Sequence, residues 1–135
     1  MNPPDAPKTS PDAGNRVDPA VLSSLHTLKQ RRDFLAAARA RRAPVAGFLL
    51  QARQRGADEP GQGIRVGFTC SKKVGNAVTR NRAKRRLRAL AREILPAGGV
   101  AGWDYVLIGK PGETVTRDFD DLRADLARAL ARIHA

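Results

Sequence analysis

The sequence is poor in the residues that usually carry enzyme chemistry, with one cysteine and two histidines in 135 residues. A single cysteine, Cys70, excludes an internal disulfide bond and a cysteine-rich metal site. Neither His26 nor His134 has an acid–base partner near it in the sequence, and no His, Cys, Asp or Glu group has metal-ligand spacing. We therefore predict that the polypeptide has no catalytic residue and no metal site, and that Cys70 is a buried, inert thiol.

Long apolar runs are also missing. No apolar run approaches the roughly 20 residues that cross a bilayer. The N-terminus lacks the charged-then-apolar order of a secretory signal. These absences predict a cytoplasmic protein that does not insert into a membrane.

Acidic residues are scarce relative to basic ones. The chain has 25 Lys and Arg against 13 Asp and Glu, which gives a net charge of +12 and a pI of about 11.3. Such an excess in a small protein repels itself and is usually compensated by a polyanion. Nucleic acid, an anionic membrane surface or an acidic protein are the possible partners at this point.

The chain divides into a tail and one domain. Residues 1–22 contain five prolines among small and polar residues, without an apolar period, which predicts a disordered tail. Residues 23–135 have the composition of a single small domain.

The domain pattern alternates between helices and strands. Residues 29–42 predict a helix that ends before Pro44, residues 45–53 a strand, and residues 54–63 a flexible connection. The remaining predictions are a strand at 64–71, a helix from Asn76 to about Leu95 before Pro96, a strand at 103–110 and a helix from about Thr116. The predicted class is α+β, with a small mixed sheet, about three helices and the order α-β-β-α-β-α. A further strand is allowed within residues 45–71.

The helix from Asn76 carries the strongest functional signal. At 100° per residue, Ala83, Leu87, Leu90 and Ile94 share one narrow arc that predicts packing on the sheet. Basic residues repeat every fourth position from Arg80, and like charges at that spacing destabilise a helix by about 0.2–0.5 kcal/mol per pair. The rest of the circumference holds Arg80, Asn81, Arg82, Lys84, Arg85, Arg86, Arg88 and Arg92.

A run of charge is most often a solvated face, but such a face mixes acids with bases. Here the first carboxylate after the basic run is Glu93. Lys72 and Lys73 add positive charge at the helix entrance, where free backbone amides and the helix dipole also attract phosphate. The pattern therefore favours binding to a polyanion, although the entrance alone is a weak motif.

The run Lys72–Arg85, centred on Arg80-Asn81-Arg82, resembles the signature of the bacterial ribonuclease P protein subunit. The preceding strand at residues 65–68, the earlier residues 32–34 and the later residues 104–108 follow in the family's order. The similarity covers roughly residues 25–133. The central motif is highly specific and the flanking segments are supportive.

The resemblance implies an α/β sandwich in which a left-handed βαβ crossover presents the basic helix. General handedness rules alone predict a right-handed crossover. The resemblance also implies that the helix and its entrance bind the enzyme's catalytic RNA. The residues concerned are Lys72, Lys73, Asn76, Arg80, Asn81, Arg82, Lys84, Arg85 and Arg88.

A cleft between the first helix and the sheet is also implied, and it would hold the single-stranded 5′ leader of precursor tRNA. The positions that would line it are Phe34, Ala38, Leu49, Gln51, Arg65 and Thr69. Aromatic residues are only 4% of the chain, and Ala38 and Gln51 stand where the family often has rings. Since stacking contributes about 1–3 kcal/mol per base, we expect this cleft to bind more through charge and shape. For Phe34, plain core packing is an equal alternative.

The resemblance further implies a ribonucleoprotein endoribonuclease in which the RNA performs the cleavage. The expected Mg²⁺ would be held by the RNA and the substrate. The expected partners are ribonuclease P RNA and precursor tRNA, with the protein as a monomer in a 1:1 complex with the RNA.

Three alternatives remain at the level of sequence. A structural RNA-binding protein of the ribosomal type fits the basic helix equally well but not the extended motif. A DNA-binding module needs base-reading polar side chains, and a membrane-surface helix needs a bulkier apolar face.

Overall fold

The computed structural model describes residues 25–56, 59 and 63–135. The predicted tail, residues 1–22, lies outside these residues. Within these described residues, five strands and three helices are formed, together with a short 3-10 helix at Lys72–Val74. In chain order they are β1 (Leu25–Thr27), α1 (Arg31–Ala38), β2 (Arg41–Pro44), β3 (Phe48–Gln54), β4 (Ile64–Thr69), α2 (Ala77–Gly98), β5 (Trp103–Gly109) and α3 (Phe119–Ile133).

The strands form one mixed sheet in the order β1-β4-β5-β3-β2. β4 pairs in parallel with both β1 and β5, whereas β3 is antiparallel to β5 and β2. The α+β class and the mixed sheet with three helices are thus confirmed. Helix α2 connects the neighbouring parallel strands β4 and β5, and the left-handedness of that crossover stays a prediction.

Helices cover both faces of the sheet. Helices α2 and α3 pack on the face that contains Phe48, Leu50, Tyr105 and Leu107, all 0–1% exposed. Helix α1 covers the opposite face in a smaller cluster of Leu28, Ala37 and Val106, with the half-buried Phe34 and Ile108 packed against it. Side chains alternate between the two faces along each strand, so each strand serves both clusters.

The prediction for residues 29–42 was wrong at its C-terminal end. Helix α1 ends at Ala38, and residues 41–44 form β2, which pairs with β3 from Arg41↔Ala52 to Pro44↔Leu49. The arginines in this segment suit a helix, but pairing with β3 buries Ala43 at 1% exposure. Tertiary pairing therefore overrides local propensity. Strand β1, beside β4, was not predicted.

Other boundaries also differ from the predictions: the strand predicted at 45–53 is β3 at Phe48–Gln54, and β5 ends at Gly109. β4 ends at Thr69 because the Ser71 side chain caps the 3-10 helix by accepting from the Lys73 amide. Helix α2 continues through Pro96 to Gly98, and the Gly99 amide closes its last turn on the Leu95 carbonyl at 2.8 Å. Helix α3 begins at Phe119, three residues beyond Thr116, because Asp118 caps it.

Candidate nucleic-acid interface

The entrance to α2 is built from two caps and a glycine. The Asn76 Oδ1 atom accepts from the Thr79 amide at 2.9 Å, which confirms the predicted N-cap. Gly75, with φ at +150°, adopts a conformation that side chains disfavour, and a Cβ atom there would lie 2.8 Å from the Thr79 Cβ. The cap uses the side-chain oxygen of Asn76. The side-chain NH₂ group remains able to donate to a phosphate.

The predicted core arc holds α2 on the sheet. Ala83, Leu87 and Leu90 are fully buried, and Ile94 is half-buried against the same cluster. Ala91 and Leu95 extend the buried arc beyond the prediction. The basic side chains are therefore carried on a rigid element.

The predicted RNA-binding residues lie together along α2 and its entrance. Arg80 and Lys84 are half-buried, and the others are exposed. Within the part of the chain that the structure describes, no carboxylate oxygen lies within 4 Å of the basic members of this set or of Arg92. We call Lys72, Lys73, Arg80, Arg82, Lys84, Arg85, Arg88 and Arg92 the basic surface.

Arg86, on the same helix, has a different environment. It donates to the Arg117 carbonyl, and its guanidinium carbon lies 5.8 Å from the centroid of the Phe119 ring. Nearby, Arg123 Nε of α3 bonds Glu93 Oε2 at 2.5 Å. These contacts fasten α2 to α3, so the basic surface is confined to the helix faces away from that seam.

Cys70 follows β4 and packs, partly buried, against the main core cluster. Burial raises the pKa of the Cys70 thiol above its ordinary value. The thiolate is the nucleophilic form of cysteine, so this environment suits a packing residue. The prediction that Cys70 lies with the core is confirmed, but the residue is half-buried and not buried as predicted.

The predicted cleft residues lie on the α1 side of the sheet. Leu49, Gln51, Arg65 and Thr69 alternate with the core positions of β3 and β4, and Ala38 is exposed at the end of α1. The Phe34 ring lies directly over Gly67, where a Cβ atom would approach the Phe34 Cε1 atom to 2.5 Å. Gly67 therefore lets α1 approach the sheet closely, and Phe34 packs against the core cluster on that face. Its contact with a leader stays a prediction.

Arg65 lies at the opposite end of this face from Leu49 and Thr69. Its Nε and Nη2 atoms donate to Asp104 at 2.8 and 2.7 Å. Asp104 is completely buried and also accepts from Arg55 Nη1 at 2.6 Å and from Arg53 Nη1 at 3.3 Å. We call Asp104 with Arg53, Arg55 and Arg65 the arginine cluster. Sequence reasoning missed it, because these arginines are 39–51 residues away from Asp104 in the chain.

A second buried carboxylate, Asp125, was also missed. It accepts from the Gly47 amide at 3.1 Å, from Arg117 Nε at 2.7 Å and from Arg128 Nη2 at 2.6 Å. Asp125 thereby ties α3 to the turn between β2 and β3. Both buried carboxylates are fully engaged by donors, and among the described residues no three His, Cys, Asp or Glu side chains lie together as metal ligands would.

None of the helices in the described part of the chain is both long enough and apolar enough to cross a membrane. The apolar arc of α2 is buried against the sheet.

The family model for ribonuclease P matches residues 22–134. The chain belongs to the ribonuclease P protein family. The ribonuclease P protein component of Ruegeria pomeroyi is 61% identical over 119 residues, which cover 88% of this chain and 94% of the relative. That of Paramagnetospirillum magneticum is 50% identical over 117 residues, covering 85% and 87%.

Solved structures agree with this assignment. The ribonuclease P protein of Thermotoga maritima superposes with a TM-score of 0.66 at 28% identity, covering 82% of this chain and 99% of the other. The Staphylococcus aureus protein, at 20% identity and a TM-score of 0.63, supports the fold alone and covers 79% and 94%. As a member of this family, the chain functions as the protein subunit of ribonuclease P in the 5′ maturation of tRNA.

Proposed function

We propose that the chain docks on ribonuclease P RNA through the basic surface, together with Asn76 and Asn81. The observation that carries this proposal is the absence of any carboxylate within 4 Å of these basic side chains in the described residues. Elsewhere the same fold pairs several arginines with carboxylates, as Asp104, Asp125 and Glu93 illustrate. Unpaired charge on a rigid helix suits the regular spacing of backbone phosphates.

The α1 face supports a second contact, with the 5′ leader of precursor tRNA. Phe34 and Ala38 of α1 would border the leader, and Leu49, Gln51 and Thr69 would form the floor, with Arg65 at the far end. The floor is mixed in character, since Gln51 is 8% exposed and Leu49 and Thr69 are half-buried. With Phe34 as the one ring among the proposed lining residues, shape and polar contacts would contribute more than base stacking.

Cleavage is assigned to the RNA subunit. Catalysis by the polypeptide would require a general base, a nucleophile or a metal site. The buried carboxylates Asp104 and Asp125 are held by arginines and do not suit a cation. We therefore place the Mg²⁺ of the reaction with the RNA and the substrate, where it would act as a Lewis acid and activate water. The protein would neutralise phosphates and hold the leader.

A 1:1 complex of one protein and one RNA is the proposed stoichiometry, because the basic surface lies on a single helix and its entrance. A cytoplasmic location remains the prediction from sequence.

The test is cleavage of a precursor tRNA by a bacterial ribonuclease P RNA at low Mg²⁺, with and without the full-length protein. The protein should restore accurate 5′ processing and should cleave nothing without the RNA. Cleavage by the protein alone would contradict the assignment of catalysis to the RNA. If the protein binds the RNA but leaves cleavage unchanged, a structural RNA-binding role replaces the proposed one.

Comparing precursor tRNA with mature tRNA separates the leader contact from the contact with ribonuclease P RNA. Phe34→Ala should weaken binding of a precursor with a 5′ leader to the holoenzyme and leave mature tRNA binding unchanged. Leu35→Ala, on the exposed side of α1, is the matched control. Equal effects of Phe34→Ala on both RNAs would show that Phe34 acts through the fold.

A further inference from the structure

A groove lies between the edge strand β1 and helix α2, on the opposite side of the sheet from the proposed leader cleft. Its volume is about 140 Å³, which corresponds to about four or five waters at roughly 30 Å³ each. The residues on which the argument rests are Thr27, Val66, Phe68, Arg88, Ala91 and Arg92.

Core residues close the bottom of the groove, and an aromatic ring forms one wall. Ala91 is fully buried and Val66 is 5% exposed, and the two belong to the main core cluster. The half-buried Phe68 ring lies beside them, with the guanidinium carbon of Arg88 5.5 Å from its centroid. An aromatic ring paired with an arginine plane is a surface on which a flat heterocycle stacks favourably.

The edge strand supplies hydrogen-bonding groups to the same groove. The Leu28 amide donates to the Val66 carbonyl at 2.8 Å, so residue 28 faces β4. Backbone groups alternate in direction along a strand, and the Thr27 N–H and C=O therefore point away from β4. In the described part of the chain β1 has no partner on that side. Thr27 is exposed and pairs with Val66, which places its side chain on the α2 face.

Two cations stand at the rim. Arg88 and Arg92 are one helical turn apart and exposed, and neither lies within 4 Å of a carboxylate among the described residues. They continue the row of the basic surface from Arg80 and Lys84. The groove thus opens directly beside the surface proposed to bind backbone phosphates.

We propose that this groove binds one unpaired nucleotide of ribonuclease P RNA. The base lies beside the half-buried Phe68 ring, its polar edge meets the Thr27 backbone, and the flanking phosphates contact Arg88 and Arg92. An aromatic ring with hydrogen-bonding edge groups and a cationic rim matches a nucleotide better than a bare phosphate. A peptide strand added to β1 would have only three residues to pair with and no use for the two cations. The inference rests on the proposed docking of α2 on the RNA.

The test combines RNA affinity with chemical probing of base reactivity on the full-length protein–RNA complex. Thr27→Trp fills the groove and should weaken binding about tenfold, which is the size of effect expected for losing one stacked base. The same variant should restore reactivity at one unpaired nucleotide that the wild-type protein protects. The slope of log K against log salt should fall by at most about 1.4–1.8, because only the two phosphates at Arg88 and Arg92 can be lost. Ala124→Trp, exposed on α3 and outside the groove, is the matched control.

Wild-type affinity and an unchanged protection pattern for Thr27→Trp would overturn the proposal. A second measurement avoids any substitution: wild-type protein bound to RNA containing 4-thiouridine is irradiated, and the cross-linked peptide is identified. Cross-links at β1 or Phe68 support the proposal, whereas cross-links confined to other segments, or formed with precursor tRNA instead, contradict it.

If the wild-type protein fails to bind the RNA at all, the proposed function fails with it. If it binds and stimulates cleavage but Thr27→Trp changes nothing, this inference alone fails.

Discussion

Arginine serves opposite purposes in two regions of this molecule. In the arginine cluster, three guanidinium groups surround the single buried carboxylate of Asp104, at 2.6–3.3 Å. On the basic surface of α2, the described residues offer no carboxylate within 4 Å. The first arrangement satisfies its charge within the fold, and the second leaves it for a partner.

The role of an arginine in this molecule therefore depends on whether a carboxylate lies beside it. A buried charge without a partner is strongly unfavourable, so breaking the cluster should destabilise the fold strongly. An exposed like-charged row costs a helix only tenths of a kcal/mol per pair. The protein can therefore tolerate the basic surface in isolation, and RNA phosphates would remove the repulsion.

The largest expected effect is on the arginine cluster. Asp104→Asn keeps the shape but removes the charge that three arginines share, and we expect a loss of about 3–5 kcal/mol in the free energy of unfolding. Urea denaturation measures this loss. Glu93→Gln, which breaks the exposed pair with Arg123, is the control and should cost less than about 1 kcal/mol. Equal, small losses in both variants would remove the distinction between buried and exposed pairs.

The matching change on the basic surface is Arg80→Ala combined with Arg82→Ala. It should impair assembly with ribonuclease P RNA and lower the slope of log K against log salt by about 1.4–1.8, at 0.7–0.9 per phosphate. The domain should stay folded, since neither side chain belongs to the core arc. Arg31→Ala with Arg39→Ala removes the same charge from the exposed ends of α1 and should affect binding less. Loss of the thermal unfolding transition in the Arg80/Arg82 variant would instead show that these residues are structural.

A third change alters the geometry of the basic surface without altering its charge. Gly75→Ala forces a Cβ atom to within 2.8 Å of Thr79 at a φ of +150°, and we expect it to cost about 1–3 kcal/mol. Gly112→Ala is the matched control, because its φ of +75° is also positive but its surroundings are open. Thermal unfolding and RNA affinity should both fall more for Gly75→Ala. Equal effects would mean that the contact with Thr79 is unimportant.

The smallest expected effect concerns the protonation of His134, which the folded state disfavours. His134 Nε2 lies 2.7 Å from the Tyr105 hydroxyl, and burial together with the nearby Arg41 lowers the pKa of His134. Below the ordinary histidine pKa of about 6.5, the unfolded chain binds a proton that the folded chain binds less readily. Stability should therefore fall as the pH drops from 6.5 through the folded pKa.

Thermal unfolding between pH 5 and 8 tests this. His134→Gln should flatten the pH dependence, and the exposed His26→Gln should leave it as in the wild type. Identical profiles for the two variants would contradict the prediction for His134.

Local features of the molecule were predictable from sequence. The core arc of α2 and its Asn76 cap depend on residues three or four positions apart, so periodicity reveals them. The N-cap bond to Thr79 and the burial of Ala83, Leu87 and Leu90 agree with that expectation. The family resemblance rested on the same local segment.

The missed features depend on distant partners. β2 is a strand only because β3 lies beside it, and its arginines favour a helix when considered alone. Asp104 sits in an apolar strand, and nothing within ten residues of it indicates that three arginines converge there. The predicted role of Arg65 in the cleft illustrates the point, because its engagement with Asp104 is visible only in the fold.

The most direct test of the account is the salt dependence of binding between the wild-type protein and ribonuclease P RNA. If the basic surface neutralises phosphates, log K should fall linearly with log salt, by about 0.7–0.9 for each phosphate neutralised, and with a total slope on the order of five. An affinity that hardly changes with salt would contradict the claim that the unpaired arginines and lysines of α2 are held for RNA.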